Sequence, residues 1–535
     1  MTDQPGTPDQ PTPTPDEPVH PVEEAVLAGY SFEGPALELG GLMLDAGTQS
    51  PARVRIPLAM VNRHGLVAGA TGTGKTKTLQ LLAEQLSANG VPVFAADVKG
   101  DLSGLATPGE GGAKIDARAA SVGQEWAATG FPVELYALGG EGIGIPLRVT
   151  MSSFGPTLLS KVLALNDTQE SSLGLVFHYA DKAGLPLLDL ADLRAVVGHL
   201  VSDEGKAELK ALGGLSSATA GVILRELITF QDQGADKFFG EPEFASSDLL
   251  HVTPGGQGLI SLVELPQLQD RPAVFSTFLM WLLADLFHDL PEVGDVDRPK
   301  LVFFFDEAHL LFRDASRAFL DQIAQTVRLI RSKGVGVFFV TQSPTDVPDD
   351  VLAQLGSRVQ HQLRAHTPND AKALKATVST YPHSAYDDLG EVITSLGIGE
   401  AVVTVMDERG APSPVAWTRL RAPESLMAPS DPAAMQALVE ASPRHATYAA
   451  PVDRESAREI LAAKLEEGAR KKEAEEAAEA QAEQAEQAEK TARKAPAKQE
   501  EGSIVHDVVN SGAFKDFMRT AAREVARGIF GTARK

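Results

Sequence analysis

Short runs of apolar residues alternate with helix-length amphipathic stretches through most of this chain. Leu66-Val67-Ala68, Val91 to Ala96, Leu259 to Leu265, Leu301-Val302-Phe303-Phe304-Phe305 and Val335 to Val340 are apolar or nearly so. A run of that kind suits a strand buried on both faces, as in a parallel sheet covered by helices. The stretches between have the other period. Leu79, Leu82, Ala83 and Leu86 share one helix face that stops at Asn89-Gly90, and a second helix is expected from about Pro272 to Leu290. Further strands are expected at Pro132 to Tyr136, Val359 to Leu363 and Glu400 to Val405. Strands alternating with helices predict an α/β fold with a mostly parallel sheet.

The pattern also divides the chain. Residues 1–24 are rich in Pro, Thr and Asp and are expected to be disordered. Residues 25–60 read as a short β lead-in around Ala36-Leu37-Glu38-Leu39 and Val54-Arg55-Ile56. The core is expected over 61–151 and 249–422, interrupted by a helical insertion at 152–248. Residues 423–502 read as a charged linker, helical by propensity but without apolar heptads. Residues 503–535 are a basic amphipathic segment, with Ile504, Val508, Phe514, Phe517 and Val525 approximating one face. That segment could dock on a partner protein, on an acidic membrane surface or within an assembly of this chain.

A length of 535 residues exceeds one compact core, so two or three units are expected. The apolar stretch from Phe278 to Phe287 is too short to span a bilayer, and the N-terminus lacks a signal-peptide pattern. Integral membrane contact is therefore not expected, and the expected location is cytoplasmic. The absence of cysteine excludes disulfides, thiolate nucleophiles and thiolate metal sites. A net charge of −24 argues against a large phosphate-binding surface, although a narrow basic channel can lie inside an acidic shell.

The chemistry lies where apolar runs end. Gly69-Ala70-Thr71-Gly72-Thr73-Gly74-Lys75-Thr76 follows the first run and opens the first helix, and it fits the phosphate loop G-x-x-x-x-G-K-T/S. Its backbone N–H groups and the helix N-terminus suit phosphate oxygens. Lys75 would reach the β- and γ-phosphates of a nucleoside triphosphate, and the Thr76 hydroxyl would take a Mg²⁺ position. Phe305 is followed by Asp306 and Glu307, a buried strand ending in paired carboxylates. Asp306 suits the metal and Glu307 the attacking water, as general base. Gln342 is placed to contact the γ-phosphate or that water. Asp97, at another strand end, is either a ligand at the same sheet edge or a helix cap. Transition-state charge calls for an arginine, with Arg328, Arg331 and Arg358 as candidates. An arginine just before a strand lies at the far edge from its own site, so Arg331 is expected to serve a neighbouring subunit.

With these pieces in this order, the chain resembles the HerA/FtsK superfamily, and its bacterial HerA-like branch in particular. Ala95 to Leu105, Phe305 to His309 and Val340 to Pro344 carry the resemblance, which extends over about residues 25 to 420. It implies a RecA-like P-loop NTPase core, ATP and Mg²⁺ as ligands, and a hexameric ring that threads duplex DNA. It also implies that Arg331 reaches the neighbouring subunit's nucleotide. Archaeal members carry a β-barrel before the core, which is expected to be missing or much reduced here. An ATPase switch acting on a protein partner is the alternative expectation.

Overall fold

The computed structural model describes residues 20–494 apart from 46–48, 141, 210–212, 266–271, 295, 314–316 and 383. The basic C-terminal segment and most of the N-terminal tail therefore lie outside the described residues. The residues up to Ala462 form one compact unit and those from Ala463 a second.

The first unit is built on a twelve-stranded sheet. In chain order its strands are β1 (Ala36–Met43), β2 (Gln49–Pro57), β3 (Gly65–Ala68), β4 (Val93–Asp97), β5 (Val133–Leu138) and β6 (Ile145–Leu147). They continue as β7 (Ile260–Glu264), β8 (Leu301–Phe305), β9 (Val335–Thr341), β10 (Ser357–Gln360), β11 (Glu400–Thr404) and β12 (Ala416–Leu420). The spatial order is β2-β1-β12-β11-β10-β3-β9-β8-β4-β7-β5-β6. Every pair from β10 to β6 is parallel, so the phosphate-loop strand β3 and the carboxylate strand β8 flank β9 and point the same way. The continuous apolar runs explain their central position. Phe303, Phe304 and Phe305 are buried and pack against Phe94, Phe338 and Phe339 of the adjoining strands. Burying each such ring contributes roughly 1.5–3 kcal/mol.

The other margin departs from the expected lead-in. β1 and β2 are not a separate element, because β1 pairs antiparallel with β12, and β12 with β11, extending the same sheet. The chain before β1 forms a helix at Pro21–Gly29, so the expected boundary at residue 24 falls inside a helix. β10 ends at Gln360 rather than Leu363, and the next residues bond to the end of β3 and the start of the phosphate loop, His361 N–H donating to Ala68 O and Ala70 N–H to Gln362 O. Between β6 and β7 the chain is mainly helical, including Asp167–Lys182, Leu190–Val201 and Ser217–Asp232.

The helix after the phosphate loop, Lys75–Ala88, buries Leu79, Leu82, Ala83 and Leu86 as its spacing requires. It also buries Gln80 and Glu84 on its polar side, under a strap that follows β12. Glu84 accepts from the backbone N–H groups of Glu424 and Ser425 at 2.9 and 3.0 Å, and Gln80 Nε2 donates to Leu426 O at 2.9 Å. The strap begins within the segment expected to be a linker. The hydrogen bonds it makes explain how a carboxylate is tolerated at 2% exposure.

In the second unit the helix that begins at Ala457 continues to Lys494, exposed and carrying ion pairs four residues apart such as Arg470–Glu466 and Lys471–Glu467. Among the described residues no helix is long and apolar enough to cross a membrane.

Candidate nucleotide site

The phosphate loop is a backbone device. Gly69 has φ +154°, and a Cβ there would lie 2.5 Å from the Cβ of His361. Gly74 has φ +115° and precedes Lys75 with no side chain capping the helix, which leaves the first N–H groups to an anion. Lys75 is 6% exposed and donates from Nζ to Gly69 O at 2.7 Å and Ala70 O at 3.2 Å. The ammonium thus lies folded along its own loop. Thr71 and Gly72 are exposed and Thr76 is half-buried at the helix start, while the Thr73 hydroxyl donates to Ala70 O at 2.8 Å.

Residues that the sequence left unassigned hold this loop. His361 is fully buried; its N–H donates to Ala68 O at 2.7 Å and its Nε2 lies 2.8 Å from the Thr78 hydroxyl. Burial, assisted by Lys75, lowers its pKa to about 4, so it is neutral and adds no charge beside the lysine. Ala70 N–H donates to Gln362 O and Gly399 N–H to Thr73 O. No sequence signal marks His361, because its role depends on β10 lying beside β3.

The carboxylates occupy the same sheet edge. Asp306 is 1% exposed and neither oxygen has a hydrogen-bond partner. Burial raises its pKa to about 7, against the opposing pull of Lys99. Glu307 has φ +46°, a left-handed conformation that costs a non-glycine residue about 1–3 kcal/mol and collects at functional sites. Its Oε1 lies 2.5 Å from Lys99 Nζ, and its Oε2 3.2 Å from His309 Nδ1. Burial would raise the Glu307 pKa, but the Lys99 ammonium holds it below the usual carboxylate value.

Asp97 is fully buried, and both oxygens accept from its own loop: Oδ1 from Lys99 N–H (3.2 Å) and Gly100 N–H (2.8 Å), Oδ2 from Leu102 N–H (2.7 Å). It therefore organises the turn after β4. Carboxylate oxygens of Asp97, Asp101 and Asp306 also lie within 4.8 Å of one another. Hard oxygens so arranged, with the Asp306 pair unpartnered, suit Mg²⁺. Gln342 is exposed at the end of β9, between the loop strand and the carboxylate strand, and lines a 360 Å³ cavity with His309, Phe312, Arg313 and Asp346.

Arg331 stands apart from this group. It opens a short 3₁₀ turn before β9, at the far end of a strand about 20 Å long. Arg358 sits near the start of β10, donating to Thr380 O at 3.1 Å. Arg328 is exposed on the helix Arg317–Ile330. None of the three is brought to its own phosphate loop.

Burial here sets a pH dependence. Asp97 is raised to about 6, and Asp306 and Glu264, at the end of β7, to about 7. A carboxylate raised from about 4 contributes stability that is complete below pH ~4 and lost as pH rises through the folded value. In a chelating, nucleotide-free buffer the unfolding temperature is expected to fall between about pH 4 and pH 7 and to level off above that, and Asp306→Asn is expected to flatten the fall. A parallel decline in both proteins would refute the assignment.

A phosphate loop opening a helix beside a strand-end Asp-Glu pair, on a mostly parallel sheet, defines a RecA-like P-loop ATPase. The helicase HerA-like C-terminal family model matches residues 43–535. The chain belongs to that family. It is 20% identical over 390 residues to the DNA double-strand break repair helicase HerA of Saccharolobus solfataricus, covering 71% of this chain and 68% of that one. Similar solved structures include the plasmid coupling protein TrwB with a non-hydrolysable ATP analogue (18% identity, TM-score 0.49, 75% and 98% of the two chains). Another is VirB4 of Thermoanaerobacter pseudethanolicus (15% identity, TM-score 0.45, 73% and 97%).

Proposed function

We propose that this chain is a Mg²⁺-dependent ATPase motor that assembles into a ring, most simply a hexamer, and moves along duplex DNA in the cytoplasm. The observation that carries the hydrolytic part is Glu307, held in a left-handed conformation at the sheet edge that bears the phosphate loop. Thr76 and Asp306 would hold Mg²⁺, which supplies charge neutralisation at the phosphates when bound. Lys75 would leave the Gly69 and Ala70 carbonyls for the β- and γ-phosphates. Gln342 would orient the water, and the Glu307 carboxylate would take its proton as the water oxygen bonds to the γ-phosphorus. The bond from that phosphorus to the departing ADP oxygen breaks in the same displacement. Arg331, distant from its own loop, would serve the next subunit's nucleotide.

The DNA part rests on the family and on the Saccharolobus relative, a DNA double-strand break repair helicase. The net charge of −24 favours a second reading, an ATPase that remodels a protein partner. ATP turnover with and without duplex DNA, together with retention on immobilised duplex over a salt series, separates the two. DNA translocation requires stimulated turnover and retention that falls as log salt rises. Unstimulated turnover without salt-dependent retention would leave the protein-partner reading.

A further inference from the structure

The turn after β4 brings a lysine beside the carboxylates that could hold a metal ion. The backbone bonds of Asp97 fix residues 99, 100 and 102, and Gly100 turns the chain with φ +73°. From this rigid base the Lys99 side chain, 38% exposed, reaches across the sheet edge. Its Nζ lies 2.5 Å from Glu307 Oε1 and 4.0 Å from Asp306 Oδ2. Carboxylate oxygens of Asp97 and Asp101 lie within 4.8 Å of those of Asp306. Lys75, the other ammonium nearby, is bonded to loop carbonyls instead.

Two constraints follow. A divalent ion entering beside Asp306 must share its carboxylates with a fixed positive charge a few ångströms away. The Lys99 contact also stabilises the ionised Glu307 carboxylate, which makes it a weaker base while that contact stands.

We infer that Lys99 is a displaceable counter-ion that fills the cation position beside Asp306 and occupies Glu307 until the metal–nucleotide arrives. The ammonium then passes to the incoming phosphate and the base is released. Lys99 is thus a positioning residue that ties the readiness of Glu307 to the presence of substrate, an inference resting on the ATPase reading above.

The test is Mn²⁺ binding to the full chain without nucleotide, followed by electron paramagnetic resonance. Lys99→Met, which keeps the length and removes the charge, should bind Mn²⁺ about ten-fold more tightly than the parent. Lys99→Arg should remain near the parent, and adding Asp306→Asn to Lys99→Met should abolish the gain. Lys99→Gln, with its unfolding temperature checked, repeats the comparison should the methionine variant fold poorly. Unchanged or weaker Mn²⁺ binding in a folded neutral variant overturns the inference. A parent protein that cannot bind Mn²⁺–ATP would instead overturn the nucleotide reading beneath it. The two failures are therefore distinguishable.

Discussion

Glu307→Gln protein is expected to bind ATP with near-parent affinity and to hydrolyse it at least about 10²-fold more slowly, in the range by which a positioned general base accelerates proton transfer. The substitution keeps the shape of the side chain and an oxygen that can accept from Lys99, but removes the group that takes the proton. The phosphate loop is bonded elsewhere, because Lys75 donates to the carbonyls of Gly69 and Ala70 and feels Glu307 only through space. Equilibrium binding of a fluorescent ATP analogue and single-turnover hydrolysis measure the two halves separately. Normal hydrolysis by the variant would remove Glu307 from its role. A loss of affinity equal to the loss of rate would make it a binding residue instead.

Lys75→Ala should fail earlier, at productive binding. The lysine is buried, and burial lowers its pKa, so the site has spent desolvation to keep an ammonium that only a phosphate would fully reward. Losing a single donor aimed at transition-state charge costs about 10²–10³ in rate where an oxyanion hole is the case measured, and turnover at saturating ATP should fall at least that far. The same variant tests the shared site. A Lys75→Ala subunit retains Arg331, and an Arg331→Ala subunit retains its phosphate loop. Rings mixed from the two should regain activity that neither has alone. Confirmed mixed rings that stay inactive would argue against an arginine acting across the subunit boundary.

The candidate nucleotide site was legible in the sequence because its parts are contiguous and follow apolar runs. A strand of three phenylalanines can only be central, so the acids after Phe305 had to emerge at its carboxyl end. Gly69 to Thr76 likewise needed only β3 before and a helix after. Lys99 was visible within the family-like stretch after Asp97, yet its partner could not be read, because a lysine's reach is settled only once β4 and β8 are neighbours. The antiparallel margin was hidden for a related reason. β12, Ala416-Trp417-Thr418-Arg419-Leu420, mixes polar and apolar residues, and only its pairing with β1 and β11 identifies it as sheet. The strap over the loop helix was read as linker, because Glu84 and Gln80 resemble solvent-facing residues until a distant segment supplies their partners.

The chain's local order thus dictated the α/β class, the glycine-rich loop and the paired carboxylates after β8, since hydrophobic period and turn chemistry act over a few residues. The tertiary fold decided which groups support them. His361 meets Thr78 across 283 residues and Ser425 meets Glu84 across 341, separations over which no local pattern carries information. It also decided that Lys99, rather than Lys75, pairs with Glu307, because charge pairing is set by distance in space and by the dielectric of the buried sheet edge.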